Sequence, residues 1–329
     1  MHVTNLTTDE ENFWPSITQT EDGQVYVVTD FPAIIRVDGL DSIRRLPPST
    51  VHVTADMLEQ AKTYFTTREF SRQQATQSSS TLVVPVDTAP LALSGDLSKW
   101  DSKLFVTIDE RSKLVGDWGR SKLETLASLR VAGDRLFAAV KTGDPHTLDN
   151  SGTSIKNLFK TGGGLDLMLA TNPSSDPQRK SAASGDIRLL VSLVKGEPVA
   201  VLYRPVAATG PRNSTIFESP LWTLRFDDVE DVSAYVQLAE GVANSAIGAS
   251  PGDFEFSIPL RLLGLNPVPG TELRGDIGLL RGDGIQTKQR VYWSNKATGL
   301  VSDIPSEAEL TPDLWGRIRF VLNSETHKQ

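Results

Sequence analysis

The sequence predicts a mainly β protein: an immunoglobulin-like or jelly-roll antiparallel β-sandwich, preceded by a small N-terminal segment of strand, turn, strand and helix. From about residue 91 to residue 320, short runs of β-branched and aromatic residues alternate with turns rich in Gly, Asp, Asn and Pro. Almost no apolar pattern in this region has the period of a helix. Many short strands joined by regular turns are typical of two packed sheets.

The N-terminal segment contains two short β-rich runs and one periodic stretch. Residues 24–28 and 33–37 are separated by a turn that contains Pro32, which predicts two strands. Thr54 is a good N-cap for a helix over residues 55–74, where apolar residues recur on one face. The sequence therefore predicts a small unit of strand, turn, strand and helix before the sandwich.

A domain boundary is predicted where the composition changes. The polar tract at residues 76–80 is typical of a linker. The chain has 329 residues, which is enough for one large domain or two smaller ones. We therefore assign residues 1–80 to an N-terminal extension and residues 81–329 to the sandwich.

The strands of the sandwich are predicted from alternation and turn signals. Two hairpins are expected, one around the Gly133-Asp134 turn and one around the Lys195-Gly196 turn. Their strands are residues 123–131 with 135–141, and residues 187–194 with 198–203. Further strands are predicted at residues 105–108, 164–170, 221–226, 254–258, 277–281, 289–293 and 316–322. One short helical turn is expected near residues 153–159.

Composition and charge exclude several function classes. The chain has no cysteine, so disulfides, thiolate metal sites and cysteine nucleophiles are excluded. The formal charge is −8, and Lys and Arg are scattered rather than aligned, so no nucleic-acid partner is expected. No apolar run approaches the ~18 residues that a membrane span needs, so no transmembrane segment is expected.

No catalytic motif stands out, and we expect a non-catalytic protein. The four histidines, His2, His52, His146 and His327, are dispersed and belong to no H-E-x-x-H pattern. The sequence contains neither a G-x-S-x-G elbow nor a P-loop. Asp and Glu are abundant, but no pair is marked as a glycosidase pair.

An ordered set of segments resembles the family 9 carbohydrate-binding modules. The matching segments are the Gly95-Asp96 turn followed by Trp100, the Gly133-Asp134 hairpin, the strand around Asp166, residues 254–260 with Leu263-Gly264, and the closing Trp293-Ser294 and Trp315-Gly316. The resemblance covers residues 91–320 and implies a sandwich in which these three tryptophans pack as core. It also implies a non-catalytic module that binds carbohydrate.

The resemblance also implies a set of ligand-binding residues. In the family, an acidic residue and an arginine on neighbouring strands bind sugar hydroxyls; by position these are Asp166 and Arg188. The first clamping tryptophan of the family falls near Phe159 and Lys160, and Asn295 borders the last loop of the expected binding face. Asp166 alternates onto the face opposite the core. The alternative is an ordinary cross-strand ion pair on a solvated face.

Two rival functions stay open at this point. The family's second clamping tryptophan maps near Leu300-Val301, where no aromatic residue stands. This favours a structural or docking module that has lost sugar binding and presents its loops to another protein domain. Related sandwiches bind haem, for which His146 and Met168 are the conceivable ligands.

Acidic loops suggest a structural calcium ion. Ca²⁺ takes six to eight oxygen ligands from carboxylates, amides and carbonyls. Asp144, Asp149 and Asn150 form the first candidate site, and the acidic run at residues 227–231 is a second. The alternative for both is an ordinary solvated turn.

The resemblance further implies an exported, multidomain bacterial protein and therefore an extracellular or periplasmic location. Residues 1–11 are polar and lack the apolar core of a secretory signal, so such a signal would lie upstream or have been removed. Residues 39–46 resemble, more faintly, the final blade of a β-propeller. The N-terminal extension would then be the end of an upstream domain.

Overall fold

The computed structural model describes the backbone of four N-terminal strands and residues 81–108, 125–219, 223–240, 252–296 and 304–323. The chain divides into two compact units, Met1–Ser71 and Arg72–Gln329. The sequence analysis placed this boundary after residue 80, nine residues later.

The first unit contains a four-stranded antiparallel sheet with the strands in chain order. Its strands are β1 His2–Asn5, β2 Ser16–Gln19, β3 Val25–Val28 and β4 Ile34–Val37. The strands predicted at residues 24–28 and 33–37 are confirmed as β3 and β4. The helix predicted over residues 55–74 lies outside the described residues.

The second unit is built mainly from strands. They are β5 Thr81–Asp87, β6 Val106–Ile108, β7 Thr125–Ala132, β8 Arg135–Lys141, β9 Asp149–Asn150, β10 Gly164–Ala170, β11 Asp186–Val194, β12 Glu197–Arg204, β13 Thr215–Glu218, β14 Thr223–Phe226, β15 Asp228–Asp231, β16 Gln237–Glu240, β17 Phe254–Pro259, β18 Glu272–Gly282, β19 Thr287–Tyr292 and β20 Gly316–Leu322. Both predicted hairpins are present, as β7–β8 and β11–β12. Every strand predicted in this half has a counterpart in the structure.

The helices of the second unit are short. Single 3₁₀ turns are Leu97–Lys99, Ser102–Leu104, Ser233–Tyr235 and Pro312–Leu314, and the α-helical turns are Leu260–Leu263 and Ile304–Ala308. Ile155–Lys160 is a longer 3₁₀ segment that is kinked at Asn157. The turn expected near residues 153–159 is therefore confirmed. Within the described residues, no helix is long and apolar enough to cross a membrane.

Apart from β13 and β14, which pair only with each other, the strands of this unit form one large curled sheet that closes as a sandwich. The order along it is β15-β12-β11-β10-β18-β20-β5-β7-β8-β17-β16, with β19, β6 and β9 paired beside this path. The sheet is mixed, because β5 runs parallel to both β20 and β7, and β9 runs parallel to β11. The expected sandwich is thus confirmed, but its wholly antiparallel character is corrected. Strand β5, which the sequence did not predict, joins the two halves.

The main core lies between the two halves of the curled sheet. Alternate residues of β10 (Leu165, Leu167 and Leu169) point into it, and so do alternate residues of β17 such as Phe254 and Phe256. Each Å² of apolar surface buried here stabilises the folded state by about 25 cal/mol, and this is the main contribution to the stability of the fold. Alternation of apolar and polar positions along the strands therefore sets which face is inside.

A second apolar layer covers the outer face of one half of the sheet. Outward residues of β10, β11, β12 and β18 pack against Ile155–Lys160, the β13–β14 hairpin and Ile304–Ala308. Met168, Leu190 and Tyr203 from the sheet meet Phe217 and Trp315 in this layer. Trp293 and Trp100 are also buried, at 7% exposure each, so the packing that the resemblance implies for the three tryptophans is present, although Trp100 also borders a cleft. The sequence did not reveal this layer.

Candidate functional site

The predicted Asp166–Arg188 pair lies on the outer face of β10 and β11. Asp166 faces Leu190 in the antiparallel register and Arg188 faces Met168, so the two side chains are diagonal neighbours. Arg188 donates from Nε to Asp166 Oδ1 and from Nη2 to Asp166 Oδ2, both at 2.8 Å. This two-pronged geometry is the strongest form of a guanidinium–carboxylate contact. The sequence-predicted pairing is therefore present.

The pair is closed to solvent. Both side chains have an exposed fraction of 0%. The remaining Arg188 nitrogen, Nη1, donates to the Glu307 carbonyl oxygen at 2.6 Å. The guanidinium also lies over the rings of Phe159 and Tyr203, with centroid distances of 5.0 and 5.7 Å. The alternative of an ion pair on a solvated face is therefore wrong, because the second apolar layer covers that face.

Two phenols complete the polar contacts around the pair. Tyr292 donates from its hydroxyl to Asp166 Oδ2 at 2.6 Å, and Arg290 Nη2 donates to the Tyr292 hydroxyl at 3.1 Å. Tyr203 donates from its hydroxyl to the Ile155 carbonyl oxygen at 3.0 Å, which ties β12 to the 3₁₀ turn above it. Each group of the pair thus has protein partners in place of water.

The electrostatics of this cluster follow from burial and from the ion pair. Burial opposes the charged form of Arg188, but the Asp166 carboxylate outweighs it and raises the pKa of Arg188 above its ordinary value. Burial raises the pKa of Tyr203 and of Tyr292 above the ordinary phenol value, so both hydroxyls keep their protons as donors. Around neutral pH, Arg188 therefore keeps its charge and the two phenols stay neutral.

Glu307 lies at the edge of the cluster on Ile304–Ala308. Its side chain has an exposed fraction of 0%, and Oε1 accepts a hydrogen bond from Lys160 Nζ at 2.7 Å. Oε2 is buried with no partner among the described residues. Burial raises the pKa of Glu307 to about 7, although Arg290 and Lys160 act in the opposite direction. The Lys160 predicted as a ligand contact is thus a partner of Glu307, with 24% of its side chain exposed.

The other predicted ligand residues are internal. Phe159 is fully buried and packs edge to face against Tyr203 and Phe217, at centroid distances of 6.0 and 5.6 Å. Asn295 is 7% exposed, and its backbone N–H donates to Asp276 Oδ2 at 2.7 Å. Burial raises the pKa of Asp276 to about 7, against three backbone donors. Most of the adjoining loop, residues 297–303, lies outside the described residues. Ligand binding by this set stays a prediction.

The glycine run before β10 is a close backbone contact. The run consists of the three consecutive glycines at residues 162–164. A Cβ added at Gly163 would lie 2.1 Å from the Thr147 carbonyl oxygen. Only glycine fits there, because the chain segment before β9 packs directly against it.

The proposed calcium residues are placed in the loop between β8 and β9. His146 contacts Asp149 through Nδ1 and Oδ2 at 2.7 Å, and the His146 N–H donates to Asp144 Oδ1 at 3.0 Å. Asn150 donates from Nδ2 to the Leu158 and Gly163 carbonyls at 2.8 and 3.1 Å. In the part of the chain that the structure describes, no group of three or more His, Asp or Glu side chains is arranged to hold a metal ion. Calcium stays a prediction.

The conceivable haem ligands have different environments. His146 has an exposed side chain and contacts Asp149. Met168 shares the outer face with Asp166, as the alternation predicted, but it is 3% exposed and packs within the second apolar layer.

Replacing Asn150 with aspartate tests the calcium site. The Asn150 amide closes the loop by two donations, and its Oδ1 accepts from Gly152 N–H and Thr161 Oγ1. The variant Asn150→Asp would lose both donations and place a carboxylate against two carbonyl oxygens, so we expect a loss of about 2–3 kcal/mol in the free energy of unfolding. Urea denaturation with and without millimolar Ca²⁺ measures this. Full recovery in Ca²⁺ would instead support an ion at this loop, since aspartate is a calcium ligand.

Sequence reasoning identified Asp166, Arg188 and Phe159 as neighbours but missed Tyr292, Tyr203 and Glu307. For Tyr292 and Tyr203 a signal was available, because each occupies an outward position of a predicted strand. For Glu307 no local signal exists, since Ile304–Ala308 is a single turn that meets the sheet only in the folded chain.

Comparisons with known proteins find only solved structures of low sequence identity that are similar to this chain. No family model matches the chain, and no curated protein matches it. Among solved structures, the chain is similar to a family 9 carbohydrate-binding module from Caldicellulosiruptor kristjanssonii in complex with glucose: the TM-score is 0.42, the identity 11%, and the match covers 75% of this chain and 98% of that one. For the same module in complex with cellotriose, the TM-score is 0.41 and the identity 11%, and the match covers 74% of this chain and 96% of that one.

A third similar structure is a protein from Bacteroides uniformis, described as a candidate carbohydrate-binding protein. Its TM-score is 0.39, the identity is 14%, and the match covers 74% of this chain and all (100%) of that one. Likenesses at this distance transfer no ligand contact to this chain.

Proposed function

We propose that residues 81–323 form a non-catalytic module that binds a carbohydrate. The observation that carries the proposal is a grouping of a carboxylate, a guanidinium and aromatic rings: Asp166, Arg188, Tyr203 and Tyr292 from the sheet and Phe159 from the segment that covers it. Carboxylate and guanidinium groups make paired hydrogen bonds to hydroxyls, and aromatic faces stack on the C–H face of a sugar ring. The family resemblance of the sequence supports the same ligand class.

A second candidate function is a structural or docking module without sugar binding. The observation that favours it is the exposed fraction of 0% for both Asp166 and Arg188. Every nitrogen of Arg188 that could recognise a hydroxyl already donates to a protein oxygen. A sugar reaches this pair only if the layer that contains Phe159 and Glu307 moves away. Under this candidate the pair holds that layer in place.

Titration of the full chain with sugars distinguishes the two functions. Glucose, xylose, mannose, galactose and cellotriose are each added while heat and tryptophan fluorescence are recorded. The carbohydrate-binding proposal expects saturable binding of at least one sugar, and no new reducing ends when cellotriose is incubated with the protein. Arg188→Lys, checked for folding by circular dichroism, reports whether the pair contacts that sugar. Absence of saturable binding in the whole panel leaves the structural module as the function.

A further inference from the structure

An open cleft lies away from the closed pair, on the outer face of β7. Ala127, Leu129 and Val131 of β7 point into the main core, so the alternate residues Ser128 and Arg130 point outward. The segment that carries Leu97–Lys99 and Ser102–Leu104 crosses in front of them. The residues that line the cleft include Lys99, Trp100, Asp101, Ser128, Arg130 and Asn323. Its volume is about 170 Å³, far above the ~10–15 Å³ that a single water needs.

The aromatic wall of the cleft is held rigidly. Trp100 donates from Nε1 to Glu255 Oε1 at 3.0 Å, and Glu255 Oε2 accepts from the backbone N–H groups of Ser94 and Gly95, both at 3.1 Å. Phe105 packs edge to face on Trp100 at a centroid distance of 6.4 Å. A single buried carboxylate thus fixes both the Gly95-Asp96 turn and the tryptophan. Because the indole is already fixed in the free protein, it loses little rotational freedom when a ligand binds.

Two polar atoms of residues that line the cleft lack partners. Ser128 Oγ and Arg130 Nε are buried, and neither has a hydrogen-bond partner among the described residues. Ser128 is only 1% exposed. Buried polar atoms in folded proteins are nearly always paired with protein, ordered water or ligand. Two unpaired atoms on neighbouring outward positions of one strand therefore point to a polar occupant.

The charges around the cleft balance. Lys99 and Arg130 are cations, while Asp101 lines the cleft and Asp87 lies 3.9 Å from Arg130 Nη2. Lys99 Nζ also donates to Ser94 Oγ at 3.0 Å. With two charges of each sign, the cleft does not select an ionic ligand. Its chemistry is that of hydroxyl donors and acceptors beside an aromatic wall.

We propose that this cleft binds one neutral sugar ring, with Trp100 contacting the apolar face of the ring and Ser128 and Arg130 meeting its hydroxyls. The inference takes the class of ligand from the proposed function and places its binding in this cleft instead of at the closed Asp166–Arg188 pair. Asp101 and Asn323 lie at positions to contact further hydroxyls. The volume suits a single ring, so the free monosaccharide binds as well as an oligosaccharide does.

The test uses the full chain and glucose, xylose, mannose and galactose as probes, with affinity measured by calorimetry. Ser128→Ala removes the unpaired hydroxyl. We expect the sugar that binds the wild type to bind this variant about tenfold more weakly, the loss of roughly one good hydrogen bond. The thermal midpoint should stay unchanged or rise, because a buried atom without a partner is removed. Arg130→Gln should weaken binding by a similar factor.

The matched control is Ser192→Ala. Ser192 is also fully buried in a strand, but its Oγ donates to the Gly163 carbonyl oxygen at 2.9 Å. This variant should lower the thermal midpoint and leave sugar affinity unchanged. Sugar binding that is insensitive to both cleft variants would overturn the cleft assignment and leave the proposed function standing. No binding of any of the probes, or of cellotriose, would overturn both.

Discussion

Replacing Arg188 with methionine should lower the free energy of unfolding by about 3–5 kcal/mol. The guanidinium neutralises Asp166 where both side chains have no solvent exposure. Methionine fills much of the same volume but leaves the carboxylate buried with the Tyr292 hydroxyl as its remaining partner among the described side chains. An unpaired buried charge is among the largest single costs that a substitution imposes. Urea denaturation followed by circular dichroism measures the loss. The slope of the unfolding free energy against urea concentration should be the same in the variant and the wild type.

An exposed ion pair in the same unit supplies the control. Arg317 and Glu272 lie 3.7 Å apart on neighbouring strands, with about half of each side chain exposed. Arg317→Met should therefore cost less than about 1 kcal/mol. The double variant Asp166→Leu/Arg188→Met should recover part of the stability lost by Arg188→Met, because it removes both charges. A single variant as stable as the wild type would mean that the pair is not closed in solution.

The same experiment bears on the choice between the two candidate functions. Arg188 also donates to the Glu307 carbonyl oxygen, so it links the sheet to Ile304–Ala308. If the pair is structural, Arg188→Met should increase amide exchange in that turn and in Ile155–Lys160 before the rest of the unit. If exchange in these segments is unchanged, the pair is not what holds the layer.

The fold was largely predictable because its signals are local. The β7–β8 and β11–β12 hairpins follow from alternation beside Gly133-Asp134 and Lys195-Gly196. Both glycines have a positive φ, a conformation that glycine adopts without strain. Gly164–Ala170 and Gly316–Leu322 match their predicted bounds to the residue. Strand β5 was missed because its partners β20 and β7 are parallel, and a parallel pairing has no hairpin turn to mark it.

The candidate site was predictable in its composition but not in its exposure. Alternation correctly placed Asp166 opposite the main core, since Leu165 and Leu167 point inward. Whether that face meets water depends on segments far away in sequence. Phe217 and Trp315 come from such segments, and both lie in the layer over β10 and β11. A pattern of period two reports which face a residue occupies and carries no information on what covers that face.

The stability of the second unit should fall as pH rises from about 4.5 to 7, and Glu307 should account for roughly 3 kcal/mol of that fall. Burial raises the pKa of Glu307 from 4.5 to about 7. Between these values the folded state holds a proton that the unfolded chain has released. The stabilising contribution of the protonated form is therefore complete below pH 4.5, declines through this window, and is absent above it.

Glu307→Gln isolates this contribution, because glutamine keeps the shape without the ionisation. Unfolding free energies at pH 4.5, 5.5, 6.5 and 7.5 should decline less steeply in the variant than in the wild type. Some slope remains in both proteins, since burial also raises the pKa of Asp276 to about 7. The control is Glu272→Gln, whose carboxylate is about half exposed and should leave the wild-type slope unchanged. Parallel slopes for Glu307→Gln and wild type would show that Glu307 is ionised throughout, held by Lys160 at 2.7 Å. The Lys160–Glu307 contact would then hold the second layer as an ion pair, as the Asp166–Arg188 contact does.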